Sequence, residues 1–157
     1  MPSYLERVRS GCYVCKLLAG DDDFVHHVVY RDDRAVVFLC KYPSVRGHLM
    51  VAPVDHREAA IGDFSEDEYL ALQRVVFFAG RALERVIETE RLYVMTLGSQ
   101  QGNRHVHWHL VPLPPGVPYE EQQLAVLSEA RGWLAMTDEE MAALASAIGA
   151  AMHRLIG

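Results

Sequence analysis

Three histidines alternate with apolar residues in the segment HVHWHLV, which runs from residue 105 to residue 111. In a β-strand, successive side chains point to opposite faces, so His105, His107 and His109 would share one face at a spacing of about 6.6 Å. The apolar residues between them would form the face toward the core. A strand does not need three neighbouring imidazoles for stability, so the row predicts a site for chemistry.

Two kinds of chemistry use such a row: metal binding by neutral imidazoles, and phosphoryl or nucleotidyl transfer with one imidazole attacking phosphorus. The loop before the row, residues 98–104, favours the second. It has neutral hydrogen-bond donors that suit phosphate oxygens, and no carboxylate that would complete a catalytic metal site: Ser99, Gln100, Gln101 and Asn103. A metal-dependent hydrolase that uses all three histidines stays open as the weaker alternative.

Composition limits the class of partner. The chain has 157 residues, half of them hydrophobic, and a formal net charge of −6. It can therefore form a real core, and it lacks the basic footprint of a nucleic-acid-binding protein. The polar opening MPSYLERVRS has no apolar leader, and the longest apolar runs are too short to span a bilayer. We expect a soluble, cytoplasmic protein with no nucleic-acid or membrane partner.

The order of elements predicts an α+β fold with an antiparallel sheet. Ser65 and Glu68, and later Thr137 and Glu140, have the spacing of helix capping boxes. The first of these helices should extend to about Glu90, and residues 2–10 should form a short helix or a frayed end. Strands are expected at residues 28–30, 35–39, 48–52, 92–97 and 105–111.

The segment HVHWHLV resembles the signature of the histidine-triad (HIT) superfamily, in which three histidines alternate with apolar residues. The stretch KYPSVRGHLMVAP, residues 41–53, resembles the strand-turn-strand of its fragile-histidine-triad-like and bacterial branches. The resemblance covers about residues 12–115 and leaves 116–157 as a C-terminal extension of one domain, 1–157. It implies the HIT fold, with about five antiparallel strands, one long helix and a C-terminal helix, and a homodimer.

The resemblance also implies a reaction on a small nucleotide. His107 corresponds to the family nucleophile, which attacks the α-phosphate of a phosphoanhydride or phosphoramidate and forms a covalent nucleotidyl-histidine. His109 would hydrogen-bond the phosphate oxygens or the leaving group, Gln101 would contact phosphate, and His48 would lie beside the active site. Because fixed donors can stabilise the transition state, we expect no catalytic metal. A dinucleoside-polyphosphate phosphorylase and a nucleotide-binding signalling protein with little turnover remain alternatives.

Cys12 and Cys15 form a C-x-x-C motif that has three interpretations: a redox pair, two small structural residues, or half of a zinc site. The resemblance implies a structural zinc held by Cys12, Cys15, His56 and His105, a donor set that suits closed tetrahedral coordination. His26 and His27 compete as ligands, although adjacent side chains in an extended segment point apart.

One position departs from the family pattern. Cys40 stands where relatives commonly have Asn or Asp to bind the ribose hydroxyls, and a thiol is a weak hydrogen-bond partner. Ribose is then held differently or nucleoside selectivity is looser, unless Cys40 is simply a small buried residue. Phe38 and Leu39 are expected to line the nucleoside pocket. Local positive charge would come from Lys41, Arg46 and Arg104.

Overall fold

Five antiparallel strands form one sheet in the order β1-β2-β3-β5-β4. The structure is a computed structural model that describes residue 6 and residues 9–157, so the predicted short helix over 2–10 lies largely outside the described residues. The strands are β1 (Val28–Arg31), β2 (Ala35–Leu39), β3 (Leu49–Pro53), β4 (Arg91–Thr96) and β5 (Trp108–Leu113). The predicted α+β class and the five-stranded HIT sheet are confirmed.

Three α-helices with bounds in the described residues accompany the sheet: α1 (Tyr13–Leu18), α2 (Glu66–Val86) and α3 (Asp138–Ile156). Both predicted capping boxes are present. The side chains of Ser65 and Thr137 accept from the backbone N–H three residues later, and the side chains of Glu68 and Glu140 accept from the cap N–H groups. These bonds satisfy donors that the first turn of a helix would otherwise leave unpaired.

The sheet separates two layers because side chains alternate along each strand. One face packs against α2 and α3, and the strands contribute residues such as Val37, Val51 and Leu110 to that core. The other face carries Phe38 and Met50, which α1 and the turn that follows it cover. β2 and β3 are buried along their whole length. They therefore provide a rigid base for the residues at their ends.

Two boundaries differ from the sequence prediction by three or more residues. Helix α2 ends at Val86 rather than near Glu90, because Ile87 has extended backbone angles. Strand β5 begins at Trp108 rather than at residue 105, because the N–H of Val106 donates to the carbonyl of Arg57 at 2.7 Å instead of to a neighbouring strand. Two of the three histidines in the row therefore precede the strand.

The C-terminal extension belongs to the same core. Met141, Leu144, Ile148 and Met152 of α3 are buried together with residues of α2 and of the sheet. Between β5 and α3 the chain forms three short 3-10 turns, over residues 119–121, 123–127 and 129–131. In the part of the chain that the structure describes, no helix has the length and apolar character needed to cross a membrane.

Helix α3 approaches β1 so closely that one position in the helix has no room for a side chain. A Cβ atom at Gly149 would lie 2.7 Å from the backbone oxygen of Val29. We expect Gly149→Ala to lower the free energy of unfolding by about 1–3 kcal/mol, although alanine is the better helix former by about 1 kcal/mol. Denaturant unfolding measures the change.

Gly80→Ala in helix α2 is the matched control. Its Cβ would meet only the ends of two side chains, that of Leu92 at 3.1 Å and that of Leu110 at 3.7 Å. We expect this variant to unfold close to the wild-type midpoint. Equal stability of Gly149→Ala and the wild type would contradict the close approach of α3 to β1.

Candidate active site and metal site

The histidine row lies on the sheet face opposite α2 and α3. Val106, Trp108 and Leu110 point into the helix-side core, which confirms the predicted alternation. On the other side the rings of His107 and His109 have centroids 4.8 Å apart and meet edge to face. His105 and His107 are buried, with 1% and 3% of their surface exposed. The row is therefore an interior feature of the protein.

Four side chains converge at one end of this row. The donor atoms of Cys12, Cys15, His56 and His105 all lie within 4.8 Å of one another. The Nδ1 atom of His105 is 3.2 Å from the Cys12 sulfur and 3.6 Å from the Cys15 sulfur, and His56 Nδ1 is 3.5 Å from the Cys15 sulfur. Ligand atoms around tetrahedral zinc are separated by roughly 3.3–3.8 Å, given zinc–ligand bonds of about 2.0–2.3 Å.

Hydrogen bonds behind these histidines fix the nitrogen that each offers. The Nε2–H of His105 donates to the Pro53 carbonyl at 2.8 Å, and the Nε2–H of His56 donates to Glu58 at 3.1 Å. Both Nδ1 atoms therefore carry a lone pair toward the cysteines, as metal ligands with such partners do. Burial, helped by Cys12, raises the pKa of the Cys15 thiol to about 11.

The two sulfurs come together because the C-x-x-C motif begins helix α1. Cys12 is the N-cap residue, and its sulfur accepts from the N–H of Cys15 at 3.3 Å. The competing histidines lie elsewhere: His26 is bonded to the Phe24 carbonyl and His27 to Asp138. Together, Cys12, Cys15, His56 and His105 form a candidate zinc site.

His107 is held in a single tautomer by the main chain. Its Nδ1–H donates to the carbonyl of His105 at 2.8 Å, so the lone pair is on Nε2. Burial lowers the pKa of His107 below its usual value, which keeps the imidazole neutral at pH 7. The ring also meets that of Tyr13 edge-on, with centroids 6.0 Å apart.

His48 and His109 form a second pair of imidazoles. His48 Nε2 and His109 Nδ1 are 2.9 Å apart, so one nitrogen donates to the other. Burial, and then the neighbouring His107, lowers the pKa of His48 to about 4 and that of His109 to about 3. Both rings are therefore neutral at pH 7 and share one hydrogen bond. The Nδ1 atom of His48 is buried and has no partner among the described residues.

Two cavities flank His107. The larger, of about 460 Å³, is lined by Cys40, Tyr42, Ser44, His48, His109, Leu127, Ser128, Glu129, Gly132 and Trp133. The smaller, of about 240 Å³, lies beside the candidate zinc site and is lined by Arg9, Gly11, Cys12, Tyr13, His56, Glu58, Gln101, Gly102, Asn103, Arg104 and His105. His107 itself lines neither cavity, but its ring meets His109 in the wall of the larger cavity and Tyr13 in the wall of the smaller one.

Of the four hydrogen-bond donors predicted in the loop before the row, two line a cavity. Gln101 and Asn103 line the smaller cavity, whereas Ser99 and Gln100 line neither of the two cavities. The turn in this loop is closed by backbone hydrogen bonds between Ser99 and Gly102, at 3.1 and 3.2 Å. The loop is therefore ordered by its own backbone hydrogen bonds. Gln101 and Asn103 lie on the zinc side of the row.

The predicted apolar wall of the nucleoside pocket needs correction. Phe38 is on the histidine side of the sheet but is fully buried, because Tyr13 and His26 pack against its ring. Leu39 points to the opposite face and joins the helix-side core. Neither residue lines the cavity beside His109.

Other aromatic residues line the two cavities. Tyr13 and Trp133 contribute to their walls, and sequence analysis singled out neither. Tyr13 lies between the two cysteines, so its proximity to His107 follows once these cysteines and His105 share a site. Trp133 had no motif to identify it.

A family model for the HIT domain matches residues 23–115. This chain belongs to the HIT family. An uncharacterized HIT-like protein of Saccharolobus solfataricus is 32% identical to it over 104 residues, which are 64% of this chain and 73% of that protein. A HIT-like protein of Mesomycoplasma hyorhinis is 27% identical over 93 residues, which are 54% of this chain and 78% of that protein. Membership of the HIT family supports a role in nucleotide binding, hydrolysis or transfer.

Solved HIT structures share the fold over most of the chain. A hypothetical histidine triad nucleotide-binding protein from Sulfolobus tokodaii has a TM-score of 0.73 at 22% identity, covering 92% of this chain and 93% of that one. A Zn-bound histidine triad family protein from Mycobacterium smegmatis has a TM-score of 0.70 at 19% identity, covering 94% of this chain and 97% of that one. Both structures show the fold that this chain shares.

Protein purified without chelators is expected to contain one zinc ion per chain, and Cys12→Ser should lose it. Structural zinc contributes on the order of 10 kcal/mol to the folding of small peptides, and less where a core exists. Chelation should therefore lower the melting temperature of the wild type. Elemental analysis and thermal unfolding measure the two effects.

Cys40→Ser is the control, since the third cysteine lies outside the cluster. It should keep its zinc. A wild-type preparation free of zinc would refute the assignment.

Proposed function

We propose that this HIT protein is a nucleotide hydrolase or nucleotidyl transferase that acts through a covalent nucleotidyl group on His107. The observation that carries the proposal is the hydrogen bond from His107 Nδ1–H to the His105 carbonyl, which leaves a neutral Nε2 lone pair beside His109. A positioned, unprotonated imidazole is an effective nucleophile near pH 7. The bond cleaved is a phosphoanhydride or a phosphoramidate.

In the first step, the Nε2 lone pair of His107 attacks the α-phosphorus, and the bond from phosphorus to the leaving oxygen or nitrogen breaks. The Nε2–H of His109 donates a hydrogen bond to the leaving group: a phosphate leaves as its anion, and an amine takes its proton from solvent water. This tautomer of His109 requires His48 Nε2–H to donate to His109 Nδ1, and the 2.9 Å contact permits it. Water then attacks the phosphorus, the phosphorus–nitrogen bond breaks, the proton of the water is released to solvent, and a nucleoside monophosphate leaves with His107 restored.

The metal site has a supporting part in this proposal. Zinc bound by four protein ligands offers no open coordination position, so it supplies rigidity rather than Lewis-acid chemistry. His105 would contribute its side chain to that site while its carbonyl orients His107. Gln101 and Asn103, on the same side of the row, are assigned to the phosphate oxygens. The proposal includes a cytoplasmic location and a homodimer. Sedimentation would test the homodimer.

His107→Ala is expected to abolish turnover while leaving zinc content and nucleotide binding largely unchanged, because His107 Nε2 is the attacking atom and His107 is outside the metal cluster. Rapid quench of the wild type into alkali preserves a phosphorus–nitrogen bond. Mass spectrometry should then find the nucleotidyl group on His107. The substrate screen covers dinucleoside polyphosphates and nucleoside phosphoramidates, with and without phosphate.

His105→Ala provides the contrast, since it should lose zinc and stability. Full activity of His107→Ala would refute the mechanism. Turnover that mild chelation abolishes in a still-folded protein would favour a metal-dependent hydrolase.

Cys40 lines the larger cavity together with His48 and His109, which supports its assignment to the ribose. Burial raises the pKa of its thiol to about 11, so it is a neutral, weak hydrogen-bonding group. We expect Cys40→Asn to bind ribonucleotides several-fold more tightly than the wild type does, because a hydrogen bond contributes about 0.5–1.5 kcal/mol. The affinity for the 2′-deoxy analogue should change little.

Cys40→Ala controls for the loss of the thiol and should leave the ratio of ribo- to deoxyribonucleotide affinity unchanged. Calorimetric titration measures the four affinities. An unchanged ratio in Cys40→Asn would mean that this side chain does not face the ribose.

A further inference from the structure

One wall of the larger cavity is formed by residues outside the region that the HIT family model matches. The family model ends at residue 115, whereas the segment 127–133 closes the cavity opposite Cys40, His48 and His109. This segment, here the C-terminal wall, therefore completes the cavity with residues that lie beyond the matched HIT domain. The cavity volume of about 460 Å³ is within the usual range for a small-molecule site.

The C-terminal wall is anchored at one end to the sheet and at the other to the loop between β2 and β3. Before it, Val126 is fully buried against Val111 and Leu113 of β5. After it, the N–H of Leu134 donates to the Pro43 carbonyl at 2.8 Å. Within it, the ring of Trp133 packs against Tyr42 with centroids 5.6 Å apart. The wall is thus an ordered part of the cavity.

Charge indicates which part of a nucleotide fits this cavity. Among the described residues, the lining has one formally charged side chain, the carboxylate of Glu129. The smaller cavity has two arginines, Arg9 and Arg104, against the carboxylate of Glu58, which is bonded to His56. Phosphate groups are therefore favoured on the zinc side of His107, and an uncharged group is favoured in the larger cavity.

The polar and aromatic groups of the larger cavity are arranged for a nucleoside. Ser44 Oγ and His48 Nδ1 are buried without a hydrogen-bond partner among the described residues, although buried polar groups are normally paired. Sugar hydroxyls would satisfy both. Trp133 is 63% exposed, so much of its surface is available for contact with a planar base.

We propose that the larger cavity is the nucleoside subsite and that Trp133, on the C-terminal wall, stacks on the base of the substrate. This inference rests on the proposed function, since it requires a nucleotide substrate. The ribose lies between Cys40, Ser44 and His48, and the α-phosphate lies at the histidine row. Selectivity for the nucleoside then depends on a segment beyond the HIT motif.

The test compares two probes that differ only in the base: AMP and ribose 5-phosphate. In the wild type, AMP should bind more tightly than ribose 5-phosphate, because stacking on an aromatic side chain favours it. Trp133→Ala should weaken AMP binding about tenfold and leave ribose 5-phosphate binding unchanged. Calorimetry gives the four dissociation constants.

Two further variants sharpen the readout. Tyr119→Ala removes another exposed aromatic side chain from the same region, outside the cavity lining, and should bind AMP as the wild type does. The protein has two tryptophans, and Trp108 is buried in the core. AMP should therefore quench the fluorescence of the wild type but not that of Trp133→Phe, which keeps an aromatic ring and most of the affinity.

The outcomes separate this inference from the proposed function. If Trp133→Ala binds AMP as tightly as the wild type, or loses affinity for ribose 5-phosphate equally, Trp133 does not contact the base. That result overturns the inference even where a His107 adduct is found. Absence of both nucleotide binding and adduct in the zinc-loaded wild type overturns the inference and the proposed function together.

Discussion

The hydrogen bond from His107 Nδ1–H to the His105 carbonyl is the interaction on which the site depends. It determines which nitrogen of His107 carries the lone pair, and it comes from the main chain of a residue whose side chain belongs to the metal cluster. The Nε2–H of His105 is in turn bonded to the carbonyl of Pro53, at the end of β3. One residue therefore links the central sheet, the metal site and His107, and a change in any of them must act on the other two.

A second connection runs through helix α1. Cys12 and Cys15 bring this short helix to His105, and the residue after Cys12 is Tyr13, whose ring meets that of His107. A helix of six residues has little stability of its own, so its position depends on what it contacts. Val14 supplies an apolar anchor because it is fully buried. The candidate zinc site thus holds in place a side chain that packs against His107, as well as the carbonyl that orients it.

Sequence reasoning succeeded where short-range rules decide the structure. The alternation around His107 and the capping boxes at Ser65 and Thr137 depend on residues a few positions apart, and each is present. It failed where a distant part of the chain intervenes. The predicted strand start at residue 105 was wrong because Val106 bonds to the carbonyl of Arg57, and Phe38 does not line the cavity because α1 covers it. The position of the C-terminal wall could not be predicted either, since no local sequence pattern shows that residues 127–133 lie close to the histidines.

The two cavities beside the histidine row differ in the charge of their linings. His107 lies between a cavity with two arginines and one whose only formally charged lining group, among the described residues, is a carboxylate. If the substrate were held mainly by its phosphates, a basic lining on both sides would serve equally well. The observed asymmetry instead favours one orientation, in which the charged part of the nucleotide lies toward Arg104 and the uncharged part toward Trp133. With a reaction centre at His107 Nε2, that orientation places the bond to be broken on the zinc side. The loop donors Gln101 and Asn103 are found on that side.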